Sequence, residues 1–125
     1  MAASISSNAS KRRAEITEMM GAVPSFMAGI PDSALPGLWL QYKQLEASPS
    51  ALDQKTKALI SLAVAAQIPC SYCIWMDTGA ARQAGATDQE IGGAVAIAGM
   101  TRNWSAIFNG LQVDFDAFRK ELGGS

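Results

Sequence analysis

Histidine is absent from this sequence, and cysteine occurs only twice, at Cys70 and Cys73. A structural zinc site usually takes four cysteine or histidine ligands, so the two cysteines supply at most half of one. The composition therefore disfavours zinc binding. We predict that the protein uses neither a metal nor a cofactor.

Charge is scarce and nearly balanced. Ten basic and eleven acidic residues leave a net charge of −1, which gives no basic surface for nucleic acid or anionic membrane. No apolar run reaches the roughly 18 residues that span a bilayer, and the first charges follow a polar segment rather than precede an apolar one. We expect a cytoplasmic protein without nucleic-acid or membrane partners.

Apolar residues are plentiful by contrast, at 49% of 125 residues against 17% charged. A chain of this length forms one domain with a proper core, so we predict a single domain over 1–125. Residues 1–9 are small and polar, and we expect them to form a disordered tail. A domain of this size cannot bury so many apolar residues in its core. The apolar surface left exposed indicates self-association.

The apolar residues recur at helical spacing, and no segment alternates like a strand. Internal repeats and glycine-rich phosphate loops are also missing. The sequence therefore predicts an all-α domain of about six to seven helices. We place them at 10–21, from about 33 to before 49, at 57–67, from about 70, from 87, at 101–110 and at 114–122, with a further turn at 24–28.

Two helix starts are well marked. Asp53 or Ser50 is suited to cap the helix that contains Lys57–Gln67, and Thr87 with Glu90 forms a capping box for the helix after Gly85. The Lys57–Gln67 segment is apolar on nearly every side, which predicts burial in a core or an oligomer interface.

The two cysteines form a C-x-x-C motif directly after Pro69. Proline ends the preceding helix and suits the start of a new one, which places Cys70 near a helix N-terminus. Unpaired N–H groups and the helix dipole there favour thiolate over thiol, and two cysteines on one turn are close enough to form a disulfide. The alternatives are two buried structural cysteines or a structural disulfide, although so short a loop removes little unfolded-state entropy.

Three longer segments resemble one protein family. They read K-x-K-A-L-I-S-L-A-V-A from Lys55 to Ala65, then C-S-Y-C-I, then A-A-R-x-A-G-A-T-x-x-E-I from Ala80 to Ile91. This combination is similar to the carboxymuconolactone decarboxylase and alkylhydroperoxidase-D-like proteins. The resemblance implies a compact helical domain that assembles into trimers or hexamers.

The peroxidase-like branch of that family implies roles for both cysteines. Cys73 attacks the peroxide and Cys70 resolves it as a disulfide, although the helix dipole alone favours Cys70 as the more acidic thiol. The family's histidine and glutamate fall at Asp77 and Ala58, so the usual proton relay is missing. We name Asp77, one turn after Cys73, as its candidate replacement, with Arg102 as a candidate to assist it.

Three hypotheses follow. The first is a thiol-dependent peroxide-reducing or disulfide-exchange protein, acting on a hydroperoxide or disulfide with a thiol protein as reductant. The second is a non-redox acid–base enzyme of the decarboxylase kind with Asp77 as base, which the lack of histidine disfavours. The third is a catalytically idle oligomer that binds a small apolar molecule near Trp75, Trp104 and the cysteines, although core packing also explains both tryptophans.

Overall fold

Regular structure within residues 2–124, the part that the computed structural model describes, is helical throughout, which confirms the all-α class. The helices are α1 (Ala2–Met20), α2 (Leu35–Tyr42), α3 (Gln54–Gln67), α4 (Ser71–Gln83), α5 (Asp88–Gly110) and α6 (Phe115–Glu121). A 3-10 turn covers Ser25–Gly29, and a π-helical turn covers Lys43–Ala47. The chain divides into two compact units, one ending at Ala51 and the next beginning at Leu52. The single-domain organisation stays a prediction.

Helix α1 begins earlier than the sequence indicates. Residues 2–9, expected to be a disordered tail, are helical, and Ala9 is fully buried; Met1 lies outside the described residues. A small residue at this position allows close packing, which polarity alone does not reveal. The helix ends at Met20, and Gly21 follows it, as predicted, with φ of +87°, a conformation that glycine adopts without strain.

The first unit has a small core of Ile16, Leu35 and Trp39. At its edge the carboxylate of Glu15 accepts hydrogen bonds from Trp39 Nε1 at 3.1 Å and Lys43 Nζ at 2.9 Å. The hydrogen bond from Lys43, with smaller contributions from Trp39 and Arg12, lowers the pKa of Glu15. Glu15 thus stays ionised and ties α1 to α2 and the turn that follows it.

The second unit begins with α3, whose start is capped by Asp53 as predicted. The Asp53 carboxylate accepts the Thr56 N–H at 2.8 Å. Ala58, Leu62 and Ala65 form the buried stripe of this helix. Ile60 and Val64 are about half exposed, at 50% and 55%, so α3 is not buried on every side within one chain. Whether an oligomer interface covers the other face, as the sequence predicts, stays a prediction.

Helix α5 is a single element, whereas the sequence predicts a separate helix from Thr101. The boundary expected near Thr101 is absent, because the residues from Gly99 to Thr101 all follow the helical path. Its start carries the predicted capping box between Thr87 and Glu90. None of the described helices is both long and apolar enough to cross a bilayer.

Two contacts fix the direction of α3 and α5. Lys55 Nζ lies 2.8 Å from Glu90 Oε2 near the two N-termini. Further along, the side-chain amide of Gln67 donates to the carbonyl oxygen of Ala98. The second contact lies further toward the C-terminus of both helices than the first, so α3 and α5 run parallel. Helix α4, which lies between them in sequence, packs against α3.

Candidate functional site

The C-x-x-C motif lies at the turn between α3 and α4. Cys70 is the N-cap of α4, in extended conformation, and its N–H donates to the carbonyl oxygen of Ala65 at 2.9 Å. Its sulfur accepts the backbone N–H of Cys73 at 3.2 Å. Pro69 therefore separates the helices as the sequence predicts, and the first cysteine takes a position that serine or aspartate usually occupies.

Cys70 and Cys73 form a disulfide, with their Cα atoms 5.3 Å apart. Both residues are only partly buried. Their neighbours Tyr72 and Trp75 are 83% and 80% exposed. Neither cysteine is therefore fully buried, and the residues beside them face solvent.

The residues around the disulfide lack an imidazole. Asp77 is partly buried on α4, one turn after Cys73, at the position where the sequence resemblance places the family's histidine. Ala58, which stands in place of the family's glutamate, is buried on α3, and its methyl side chain cannot transfer a proton. Arg102 donates from Nη1 to Gln67 Oε1 at 3.0 Å and not to Asp77. The catalytic role of Asp77 stays a prediction.

An open groove of about 790 Å³ runs between α3 and α5. Its walls are small or apolar, from Ala63, Val64, Ile97, Ala98 and Ala106. Polar side chains complete the lining, from Gln67, Thr101, Arg102, Ser105 and Asn109. The α5 members recur every three to four residues, so they share one face of that helix.

Of the three predicted pocket residues, only Arg102 lines this groove. Trp104 stacks on Phe108 with ring centroids 6.1 Å apart, and Trp75 lies exposed on α4. The pocket role of the two tryptophans stays a prediction. Sequence reasoning missed Gln67, which bonds both Arg102 and Ala98; the only signal was a polar residue ending an apolar run.

Metal-ligating side chains are dispersed. Across residues 2–124, no three His, Cys, Asp or Glu residues come close enough together to hold an ion. The two cysteines bring two sulfurs to the site, one of which receives a backbone hydrogen bond.

A helical domain with a C-x-x-C disulfide at a helix N-terminus agrees with the class of protein that the sequence resemblance implies. The model of the carboxymuconolactone decarboxylase family matches residues 33–114, which is more than half of the chain. The protein therefore belongs to that family, as the sequence resemblance predicts.

A solved structure supports the same assignment. The alkylhydroperoxidase AhpD core from Rhodospirillum rubrum is similar at a TM-score of 0.75 and 28% sequence identity, over 89% of this chain and 85% of that one. Among functionally curated proteins, none matches this chain significantly.

Proposed function

We propose that this protein reduces organic hydroperoxides through its Cys70–Cys73 pair and is recycled by a thiol reductant. The observation that carries the proposal is the disulfide between two partly exposed cysteines at the start of α4. Family membership and the similarity to an alkylhydroperoxidase core support it. Such chemistry needs a reducing compartment, and we propose the cytoplasm.

The reaction has three steps. The Cys73 thiolate attacks one peroxide oxygen, the O–O bond breaks, and the alkoxide leaves as alcohol after taking a proton, so that Cys73 becomes a sulfenic acid. The Cys70 thiolate then attacks the Cys73 sulfur, forming the disulfide and releasing water with one more proton. A dithiol reductant finally returns both cysteines to thiols and is itself oxidised to a disulfide.

The geometry at the helix start suits Cys70 to the resolving step. Its sulfur faces the Cys73 N–H, and the N-terminal dipole favours negative charge there. An ionised Cys70 attacks a sulfenic acid without help from a base. On recycling, the same sulfur is the better leaving group, since a stabilised thiolate leaves faster.

Single-cysteine variants test the proposal. Reduced protein mixed with cumene hydroperoxide is expected to lose two thiols per peroxide and to recover them with a dithiol. Cys73→Ser abolishes peroxide consumption, whereas Cys70→Ser stops after one turnover with a sulfenic acid that dimedone labels. Ser71→Ala, a matched change between the cysteines, leaves turnover unchanged.

Other results with these variants would contradict the order of attack or the redox function itself. Full peroxide consumption by Cys73→Ser contradicts the proposed order of attack. If neither cysteine matters but Asp77→Asn abolishes turnover of a lactone acid, the acid–base hypothesis replaces the redox one.

Self-association is part of the proposal. Large apolar side chains away from the groove remain exposed, among them Ile60 on α3, Leu111 after α5 and Phe115 on α6, the last two at 74% and 70%. Apolar surface of this kind is usually covered in an assembly. We propose a homo-trimer or homo-hexamer, to be measured by sedimentation equilibrium.

A further inference from the structure

We infer that the groove between α3 and α5 binds amphiphilic molecules carrying one carboxylate. We further infer that the hydroperoxides reduced at the dithiol belong to this class. The second statement rests on the proposed function, whereas the first stands without it.

Charge complementarity identifies the occupant. Arg102 is the only charged residue among those that line the groove, and the lining contains no carboxylate. One guanidinium nitrogen is held by Gln67 at 3.0 Å, and Gln67 is fixed in turn by its bond to the Ala98 carbonyl oxygen. Arginine has five N–H donors, so an oriented guanidinium keeps a free edge that matches a carboxylate.

The remaining lining favours an alkyl chain. Val64, Ile97 and Ala106 present hydrocarbon, and about 790 Å³ is within the usual range for small-molecule sites. Two of the other polar side chains already bond within α5, since Thr101 Oγ1 donates to the Ile97 carbonyl oxygen and Asn109 Nδ2 donates to that of Ser105. Ser105 Oγ in turn accepts from Asn109 Nδ2 at 3.3 Å, so Arg102 is the one charged anchor of a groove whose other polar side chains bond to the protein.

The groove also lies near the dithiol. Gln67 precedes Cys70 by three residues, so their Cα atoms are at most about 11 Å apart. Arg102 is bonded to Gln67, so the charged end of the groove lies at the end of α3 that leads into the dithiol. This placement supports carboxylate-bearing hydroperoxides as the substrate class.

Binding is tested with octanoate and octanol by calorimetry on the full chain. We expect octanoate to bind at least about tenfold tighter than octanol, since a hydrogen bond to a charged group contributes this much. Arg102→Gln weakens octanoate about tenfold and leaves octanol unchanged. Arg82→Gln, an exposed arginine on α4 outside the groove, is the matched control. Ser105→Glu, which places a negative charge in the groove, also weakens octanoate.

Several outcomes overturn the carboxylate site. They are equal affinity for octanoate and octanol, unchanged binding in both groove variants, or no binding to the unsubstituted chain. If binding is absent and Ser105→Glu dissociates an oligomer, a second copy of the chain covers the groove instead.

The substrate class is tested separately. Reduced protein is expected to react with a hydroperoxy-octanoic acid about tenfold faster than with octyl hydroperoxide, and Arg102→Gln removes only that advantage. Equal rates refute the substrate class and leave octanoate binding intact. If no peroxide oxidises the thiols while octanoate still binds, the proposed function fails and the groove inference stands.

Discussion

The strongest expectation from the structure concerns the relative acidity of the two thiols. In the Cys73→Ser variant Cys70 keeps its N-cap position and the serine N–H that replaces the Cys73 N–H, 3.2 Å away. In Cys70→Ser the cap becomes a serine hydroxyl, which also caps helices well, so both variants keep α4 intact. Each variant thus reports the ionisation of one thiol in a preserved fold.

The magnitude follows from that one hydrogen bond. A bond to a charged group contributes about 1.5 kcal/mol, so the thiolate population of Cys70 at neutral pH is about tenfold larger than that of a thiol without it. A more stable thiolate is intrinsically less nucleophilic, with a Brønsted slope of about 0.4–0.5, which removes roughly a threefold factor. The net expectation is that Cys70 alkylates about three- to fourfold faster than Cys73.

Iodoacetamide alkylation of both reduced variants, followed against pH by mass spectrometry, measures this difference. The midpoint of the pH profile for Cys70 is expected below that for Cys73. Coincident midpoints, or a lower one for Cys73, refute the reasoning from the helix N-terminus. A denatured sample provides the control, because the two profiles then converge.

Three further predictions concern single side chains. The Lys55 hydrogen bond lowers the pKa of Glu90, and the same contact raises the pKa of Lys55. The ion pair therefore stabilises the fold at neutral pH. That stabilisation is lost as pH falls through the lowered pKa of Glu90 or rises through the raised pKa of Lys55. Glu90→Gln, which still completes a capping box, is expected to flatten this pH dependence of Tm, and a salt-independent Tm in the unsubstituted chain contradicts the assignment. Leu62→Ala, at 1% exposure, lowers the free energy of unfolding by about 2–5 kcal/mol in urea titrations, against much less for the half-exposed Ile60→Ala, and equal losses disprove the placement of the core. Asp77→His supplies a base that titrates near neutral pH and is expected to raise the rate of thiol oxidation about tenfold, whereas no gain relative to Asp77→Asn excludes this position from the relay.

Local features of the fold were predictable because they depend on neighbouring residues. The cap at Asp53, the Thr87–Glu90 capping box and the break at Pro69 each involve a side chain and a backbone group within three residues. Such contacts are the same in any tertiary setting. The placement of Cys70 at a helix start was predictable for the same reason.

The features that the sequence did not reveal depend on contacts between distant residues. The Gln67–Arg102 bond joins positions 35 residues apart, so no local pattern indicates the groove. The continuity of α5 also escaped prediction, because glycines and potential caps near Gly99 mimic a boundary when their packing is unknown. Residues 2–9 are helical and Ala9 among them is buried. Composition alone does not reveal that burial, so the segment was expected to be disordered.

Because the Cys73 amide donates to the Cys70 sulfur, its backbone proton reports the redox state of the two cysteines. When the disulfide opens, the acceptor changes from a neutral bridging sulfur to an anionic one, and an amide that donates to an anion is more strongly deshielded. In a nitrogen–proton correlation spectrum, the single resonance of Cys73 therefore follows reduction and ionisation of its neighbour without any label on sulfur.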